Sequence, residues 1–189
     1  MKSEPSNRRM ATAAHIRRAT AADAHAIAEI VVRGWQAAYR GILPDDFLDG
    51  LSVGAREIAW RMRLESGKEG GGPAWVAELD ATAIGFVSSG PPRDEDMQPS
   101  HRPEAPIAAE IHAIYVIPEA WRSGVGGALL ATAVDHWRES GVTSLVLWVL
   151  EANSAGRAFY EAMGWQPDGI RQLIDLGGFT VTEVRYRRL

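Results

Sequence analysis

One stretch of the chain limits its fold more than any other, because a strand pattern, a glycine-rich loop and a helix pattern follow each other over residues 110–130. The β-branched and aromatic run at 111–117 predicts a strand. Pro118 ends this run, since proline has no N–H to donate to a sheet ladder. Apolar residues then recur at helical spacing, namely Leu129, Leu130, Ala133, Val134 and Trp137. The order predicts an α/β unit whose strand leads through a loop into a helix.

The glycines of this loop predict a phosphate site. Gly124, Gly126 and Gly127 leave backbone N–H groups accessible at the positive end of the helix dipole, where an anion is stabilised. A Rossmann fingerprint would need glycine where the chain has Leu129, and no P-loop Gly-Lys-Ser/Thr follows Gly124, so a dinucleotide-binding oxidoreductase is disfavoured. The alternative is a tight turn whose glycines serve packing.

A second motif lies between Trp148 and Trp165. Asn153 is a good helix N-cap and Gly164 a good helix stop. One face of this predicted helix is an apolar stripe, made of Ala155, Ala158, Phe159 and Ala162. Another face carries Asn153, Arg157 and Tyr160, which span about 10 Å from end to end.

The two motifs resemble those of the GNAT superfamily of acetyl-CoA-dependent N-acetyltransferases. In the family loop, Gln/Arg-x-x-Gly-x-Gly/Ala, the two glycines match Gly124 and Gly126, whereas Trp121 takes the Gln/Arg position and Arg122 follows it. The second motif is similar to the family segment Asn-x-x-Ala-x-x-Phe/Tyr-Tyr-Glu-x-x-Gly-Phe/Trp, which begins here at Asn153. The resemblance covers roughly residues 15–189 and is specific to the superfamily, not to a substrate.

The resemblance implies a mixed α/β (α+β) fold, with a central, mostly antiparallel sheet flanked by helices. Its central strands are expected to splay apart and admit the pantetheine arm of the cofactor. We expect a single N-acetyltransferase domain at 15–189, after a disordered leader at 1–14.

Further elements follow from local patterns. Strand patterns pair as hairpins at 74–79 with 83–88, and at 170–176 with 180–186 around Gly177-Gly178. The run at 143–150 is almost wholly apolar and predicts a strand buried on both faces.

By the resemblance, acetyl-CoA is the cosubstrate. Backbone groups of Ile114, Tyr115 and Val116 are expected to pair with pantetheine and polarise the thioester carbonyl. The pyrophosphate is expected on the loop, which consists of Arg122, Ser123, Gly124, Val125, Gly126 and Gly127. Asn153 and Tyr160 are expected to contact the cofactor as well. The Arg122 side chain could equally be a solvated surface group.

Catalysis by this reading needs a proton donor and a proton acceptor. Tyr160 is the candidate general acid, because its hydroxyl could protonate the leaving thiolate. Glu110 is the candidate general base; a salt-bridged carboxylate at a strand end is the equal alternative. Four aromatic or imidazole residues are candidates for substrate contact, although such residues are more often core; they are Trp35, Tyr39, Phe47 and His101.

Composition excludes several classes of site. The absence of cysteine from the 189 residues excludes disulfides, thiolate zinc sites and a cysteine acyl-enzyme, and no metal is expected. No apolar run approaches the roughly 18 residues of a membrane span, so a cytoplasmic protein without membrane partners is expected. The net charge of −4 argues against nucleic-acid binding and permits a cationic amine substrate. Whether the chain forms a homodimer stays open.

These observations predict an N-acetyltransferase that moves an acetyl group from acetyl-CoA to the primary amine of a small molecule or peptide by direct attack. The alternative is a GNAT module that binds acyl-CoA without turnover, as a sensor or regulator.

Overall fold

The computed structural model describes residues 14–66, 72–94, 97 and 107–188. The strands are β1 (His15–Arg18), β2 (Ala74–Leu79), β3 (Thr82–Gly90), β4 (Ala108–Val116), β5 (Ser144–Leu150), β6 (Gln166–Asp175) and β7 (Thr180–Arg188). The helices are α1 (Ala24–Ala38), α2 (Asp45–Asp49), α3 (Val53–Glu65), α4 (Val125–Glu139) and α5 (Ser154–Ala162). The predicted leader lies outside the described residues except for Ala14.

The strands form one sheet in the order β1-β2-β3-β4-β5-β7-β6. All neighbouring strands are antiparallel except β4 and β5, which are parallel. This arrangement confirms the mixed α/β fold with a mostly antiparallel sheet, and both predicted hairpins are present. The first hairpin turns at Asp80 and Ala81, whose φ angles of 49° and 62° match the twist of the flanking strands.

Helices cover both faces of the sheet. Helix α4 packs Leu129, Leu130 and Ala133 against one face, in a core that includes Leu145 and Leu147 of β5. Helix α1 packs Ile27, Ile30 and Val31 against the opposite face, over Val76 and Phe86. Because β5 lies between these two layers, its side chains are buried on both faces, as its apolar run predicted.

A third apolar cluster closes the α1 face beside β5. Its buried members are Tyr39, Leu43, Leu48 and Leu150. Tyr115 of β4 and Phe179 of the last hairpin pack against it. The end of α1 is thereby fixed over the middle of the sheet.

Among the described residues, no helix is long and apolar enough to cross a bilayer.

Candidate active site

The middle of the sheet contains a gap between β4 and β5. Their parallel ladder begins at Ala108 with Ser144 and ends at Ile111 with Leu147. Strand β4 nevertheless continues to Val116, and β5 to Leu150. The two strands therefore pair at their beginnings and separate afterwards, which leaves one edge of β4 open over Ile114, Tyr115 and Val116. This is the geometry that the resemblance implied.

A β-bulge in β4 marks the point where the strands separate. Ser88 pairs with Ala113 and Ser89 with Ile111, so His112 has no cross-strand partner in the β3 ladder. A bulge bends its strand and redirects the backbone groups beyond it. The His112 ring bridges Arg63 and the Pro91 carbonyl, at 3.2 and 3.0 Å, and burial lowers its pKa.

The first turn of α4 presents free donors beside this gap. The N–H of Ala128 donates to the Gly124 carbonyl at 3.0 Å, so the N–H groups of Val125, Gly126 and Gly127 have no acceptor within the helix. Gly124, the N-cap, has a φ of 89°, which favours glycine. These donors lie at the positive end of a 15-residue helix and suit a phosphate.

Packing does not require glycine at position 126. A Cβ added there would lie 3.5 Å from Phe159 and 3.8 Å from Val116, which is ordinary contact. The alternative interpretation of the glycines as packing residues is therefore not supported at this position. The same distances show that the end of β4, the start of α4 and the middle of α5 meet at one place.

The loop before α4 is held by its own hydrogen bonds. The Trp121 indole donates to the Val116 carbonyl at 2.7 Å, and the Ser123 hydroxyl donates to the Ala120 carbonyl at 2.6 Å. Arg122 is exposed and has a φ of 59°, which is uncommon for a residue with a Cβ. The unusual residue at the family's Gln/Arg position thus connects the loop to the end of β4.

Three tyrosines from different elements meet at the open end of the gap. The hydroxyl oxygens of Tyr39 and Tyr115 lie 3.2 Å apart. Burial raises the pKa of Tyr160, and the nearby Tyr39 raises it further. The pKa of Tyr115 is raised by burial and also by Tyr39 and Tyr160. Burial raises the pKa of Tyr39 as well, so all three phenols are protonated at neutral pH and able to donate a hydrogen bond.

Helix α5 places Tyr160 through a cap at its first turn. The Asn153 side chain accepts a hydrogen bond from the Gly156 N–H at 2.9 Å, which confirms the predicted N-cap. On the same helix, Arg157 donates to the Tyr186 hydroxyl at 3.1 Å. The Tyr186 ring lies 6.3 Å from the Tyr160 ring, so it packs behind the candidate acid.

Glu110 lies in the closed part of the sheet. It is completely buried and pairs in register with Val146. Arg93 binds both its oxygens, through the backbone N–H at 2.8 Å, through Nε at 2.9 Å, and through a terminal guanidinium nitrogen. The salt bridge considered as an alternative for this residue is thus present, and the role of Glu110 as a base stays a prediction.

The predicted substrate residues are gathered on the α1 face. The Trp35 ring lies 5.2 Å from that of Tyr39 and 6.2 Å from that of Phe47, which in turn stacks edge-on with Phe179 at 5.0 Å. Through Tyr39 this aromatic group adjoins Tyr115. His101 lies outside the described residues.

Sequence reasoning missed a set of charged residues on the last two strands. Arg185 is almost completely buried and binds Asp94 and Asp168, at 2.9 and 2.8 Å. Two residues earlier on β7, Glu183 accepts a hydrogen bond from Gln172 at 2.9 Å. Both lie in the last hairpin, whose alternating pattern predicts a strand but does not show which charged side chains turn toward a cleft.

Within the described residues, no group of three or more His, Asp or Glu side chains is placed to hold a metal ion.

The acetyltransferase (GNAT) family model matches residues 35–165. This segment contains both motifs, the gap between β4 and β5, and the three tyrosines.

Two curated relatives match over most of their length. The chain is 30% identical over 171 residues to the uncharacterized N-acetyltransferase YuaI of Bacillus subtilis, which covers 89% of each chain. It is 34% identical over 157 residues to the probable N-acetyltransferase Rv2775 of Mycobacterium tuberculosis, with 81% of this chain and 80% of that protein covered.

Among solved structures, the fold is similar to that of the PaiA N-acetyltransferase from Thermoplasma acidophilum, crystallised in complex with coenzyme A. The TM-score is 0.69 at 20% identity, over 94% of this chain and 99% of that one. The family model and the extent of the match to YuaI establish that the chain belongs to the acetyltransferase (GNAT) family.

Proposed function

We propose that this protein transfers the acetyl group of acetyl-CoA to a primary amine by direct attack, with Tyr160 as the general acid. One observation supports the proposal most: the Tyr160 phenol is close enough to those of Tyr39 and Tyr115 for their charges to shift one another's pKa values, and its neighbour Phe159 lies against Gly126 in the first turn of α4.

Cofactor binding follows from two features of the backbone. The pyrophosphate would be held by the N–H groups of Val125, Gly126 and Gly127, with Arg122 and Ser123 beside them. The pantetheine arm would pair with the open edge of β4 near Ile114 and Tyr115, as an added strand pairs with a sheet edge. A backbone N–H directed at the thioester oxygen would stabilise the developing oxyanion by about 3 kcal/mol.

Tyr160 meets one requirement of a proton donor. A phenol whose pKa is raised stays protonated at neutral pH, which a donor to the leaving thiolate must be. Asn153, the N-cap of the same helix, would sit where it can also contact the cofactor.

The direct test is turnover. Wild-type protein is incubated with acetyl-CoA and a panel containing spermidine, an amino sugar and a peptide with a free N-terminal alanine, and the release of free thiol is followed. We expect thiol release that depends on the amine. Tight binding of acetyl-CoA without amine-dependent release would instead favour a non-catalytic acyl-CoA-binding module, a reading consistent with the saturation of Glu110 by Arg93.

A further inference from the structure

A second carboxylate, Glu183, lies at the level where β4 and β5 have separated. Glu183 of β7 pairs in register with Leu150 of β5, whereas the last pair between β4 and β5 is at Leu147. Leu150 lies three residues beyond Leu147 on β5, which is a distance of about 10 Å along the strand. Glu110 pairs with Val146, before the strands part, so Glu183, unlike Glu110, lies beyond the point where they separate.

The side chain of Glu183 is on the α1 face of the sheet. On β7, Tyr186 bonds to Arg157 and Glu161 of α5 and so faces the opposite side. Side chains alternate along a strand, and the β5–β7 ladder has no register shift, so Glu183 shares its face with Arg185. Its cross-strand neighbour Leu150 belongs to the same buried cluster as Tyr39.

The surroundings of Glu183 favour a proton acceptor. Burial raises its pKa, a bond from Gln172 and the charge of Arg93 lower it, and the charges of Glu110 and Asp94 raise it again. Glu183 is also close enough to raise the pKa of the Tyr39 phenol. Among the described residues, Gln172 is its hydrogen-bond donor and binds only Oε2, so Oε1 can accept from a ligand.

Glu110 differs from Glu183 in the two properties that a base needs. It is completely buried, and Arg93 donates to both of its oxygens. To accept a proton it would have to leave this ion pair inside the protein, which is costly. Glu183 is half-buried and needs no such rearrangement.

We propose that Glu183 is the residue that binds the ammonium group of the substrate and removes its proton, and that the aromatic group of Trp35, Tyr39 and Phe47 holds the adjoining part of a cationic primary amine. This inference rests on the proposed function and identifies the substrate as an amine that arrives protonated. The Arg56 guanidinium already lies over the Trp35 ring, 5.0 Å from its centre, so Glu183 supplies the charge match to the ammonium and the aromatic group an apolar wall beside it.

The proton balance is complete with residues already described. The ammonium gives one proton to Glu183, and the neutral nitrogen attacks the thioester carbonyl. The C–N bond forms, the C–S bond breaks, and Tyr160 gives its proton to the sulfur. The second proton of the nitrogen restores Tyr160, directly or through water, and Glu183 releases its proton to solvent. The products are the amide, CoA thiol and one proton.

The test compares Glu183→Gln with Glu110→Gln, and uses Glu65→Gln at the exposed end of α3 as the matched control. For Glu183→Gln we expect kcat/KM to fall at least 100-fold with the best amine of the panel, since proton removal of this kind contributes about 100- to 10,000-fold. Calorimetric affinity for acetyl-CoA and the melting temperature should match those of the control. Glu183→Asp, which shortens the carboxylate, should retain part of the activity.

The pH profile separates a base from a structural residue. The charged and titratable groups that face Glu183 are Arg93, Asp94, Glu110 and Tyr39, with Arg185 and Arg187 on its own strand. An ordinary glutamic acid has a pKa of about 4.3. Because the pKa of Glu183 is raised, we expect the acidic limb of kcat/KM to lie at a higher pH than that. Activity should be present above this limb and lost below it, and the limb should be absent from Glu183→Gln.

Two results would overturn the proposal: a Glu183→Gln protein with wild-type kcat/KM and an unchanged acidic limb, or a greater loss in a folded Glu110→Gln than in Glu183→Gln. If wild type acetylates no amine of the panel, the proposed function fails. Calorimetric titration of spermidine into the CoA complex then tests separately whether Glu183 binds an ammonium group. Weaker spermidine binding by Glu183→Gln than by Glu65→Gln would support the ammonium site; equal or absent binding would overturn it.

Discussion

At the scale of single residues, Tyr39, Tyr115 and Tyr160 make different contacts although their side chains are the same. Tyr39 and Tyr115 contact each other through their hydroxyls at 3.2 Å. Tyr160 comes from the opposite layer, where its ring packs against those of Phe159 and Tyr186. We therefore assign the proposed general acid to Tyr160, whose hydroxyl takes no part in this pair.

Replacing Tyr160 by Phe tests the general acid. The ring and its packing remain, so the affinity for acetyl-CoA should barely change. We expect kcat to fall by about 100- to 10,000-fold, because the proton donor to sulfur is lost. Steady-state kinetics and calorimetry on the same preparation check both expectations. Normal turnover of the Phe variant, with chemistry rate-limiting, would reduce Tyr160 to a packing residue.

Replacing Gly126 by Val tests the phosphate site. The added Cβ meets only ordinary contacts in the protein, so the fold should survive while the larger side chain obstructs the free N–H groups of the first turn. We expect a marked loss of acetyl-CoA affinity for Gly126→Val and a smaller one for Gly126→Ala, measured by calorimetry.

Ala128→Val is the control for Gly126→Val, because it lies on the same turn and its N–H already donates to the Gly124 carbonyl. If a folded Gly126→Val protein binds acetyl-CoA as well as this control does, the ligand does not approach the backbone here.

At the scale of elements, α5 depends on a close contact in its first turn. A Cβ at Gly156 would come within 2.5 Å of Asn153 Nδ2, so the cap needs glycine there even though glycine is a poor helix former. The position of Tyr160, one to two turns further along, depends on this cap.

The contact predicts that Asn153 and Gly156 are coupled. In wild type, Gly156→Ala should bring no gain in stability, because the lost cap, about 1 kcal/mol, offsets the better helix propensity of alanine. In an Asn153→Ala background the same change should stabilise by about 0.5 to 1 kcal/mol. Denaturant unfolding of wild type, the two single variants and the double variant gives a double-mutant cycle. Additive effects on the free energy of unfolding would contradict the coupling.

At the scale of the whole molecule, an internal ion cluster connects the segment that follows β3 to strands β6 and β7. Arg185 joins Asp94 of this segment to Asp168 of β6, and Asp94 also accepts a bond from the Trp148 indole at 3.2 Å. Arg93, the preceding residue, binds Glu110. The cluster thus connects residues distant in sequence around one side of the proposed amine site.

Arg185→Met should destabilise the whole protein. Removing one partner leaves two carboxylates without their buried cation, which costs about 3 to 5 kcal/mol in the free energy of unfolding. Arg171→Met, which removes an exposed ion pair with Glu151, is the control and should cost no more than about 1 kcal/mol. Chemical denaturation measures both, and equal stabilities of the two variants would show that the cluster contributes little.

Interactions between residues near in sequence were sufficient to predict most helices and strands, and the part of the proposed site that is built from the glycine loop and α5. The glycine loop, the Asn153 cap, both hairpins and the buried β5 follow from backbone preferences and hydrophobic periodicity, which act between residues near in sequence. The turn proposed to bind phosphate belongs to this class, because its donors are consecutive residues of one helix.

The other half of the site depends on tertiary structure. The separation of β4 from β5, the ion pair between Glu110 and Arg93, and the approach of Glu183 to Tyr39 join residues far apart in the chain. Periodicity shows that successive side chains of a strand point to opposite faces of the sheet. It does not show which face lines a cleft, or which charged side chain of another strand lies opposite. Those relations exist only once the sheet order brings β7 beside β5, and they determine which carboxylate is free to accept a proton.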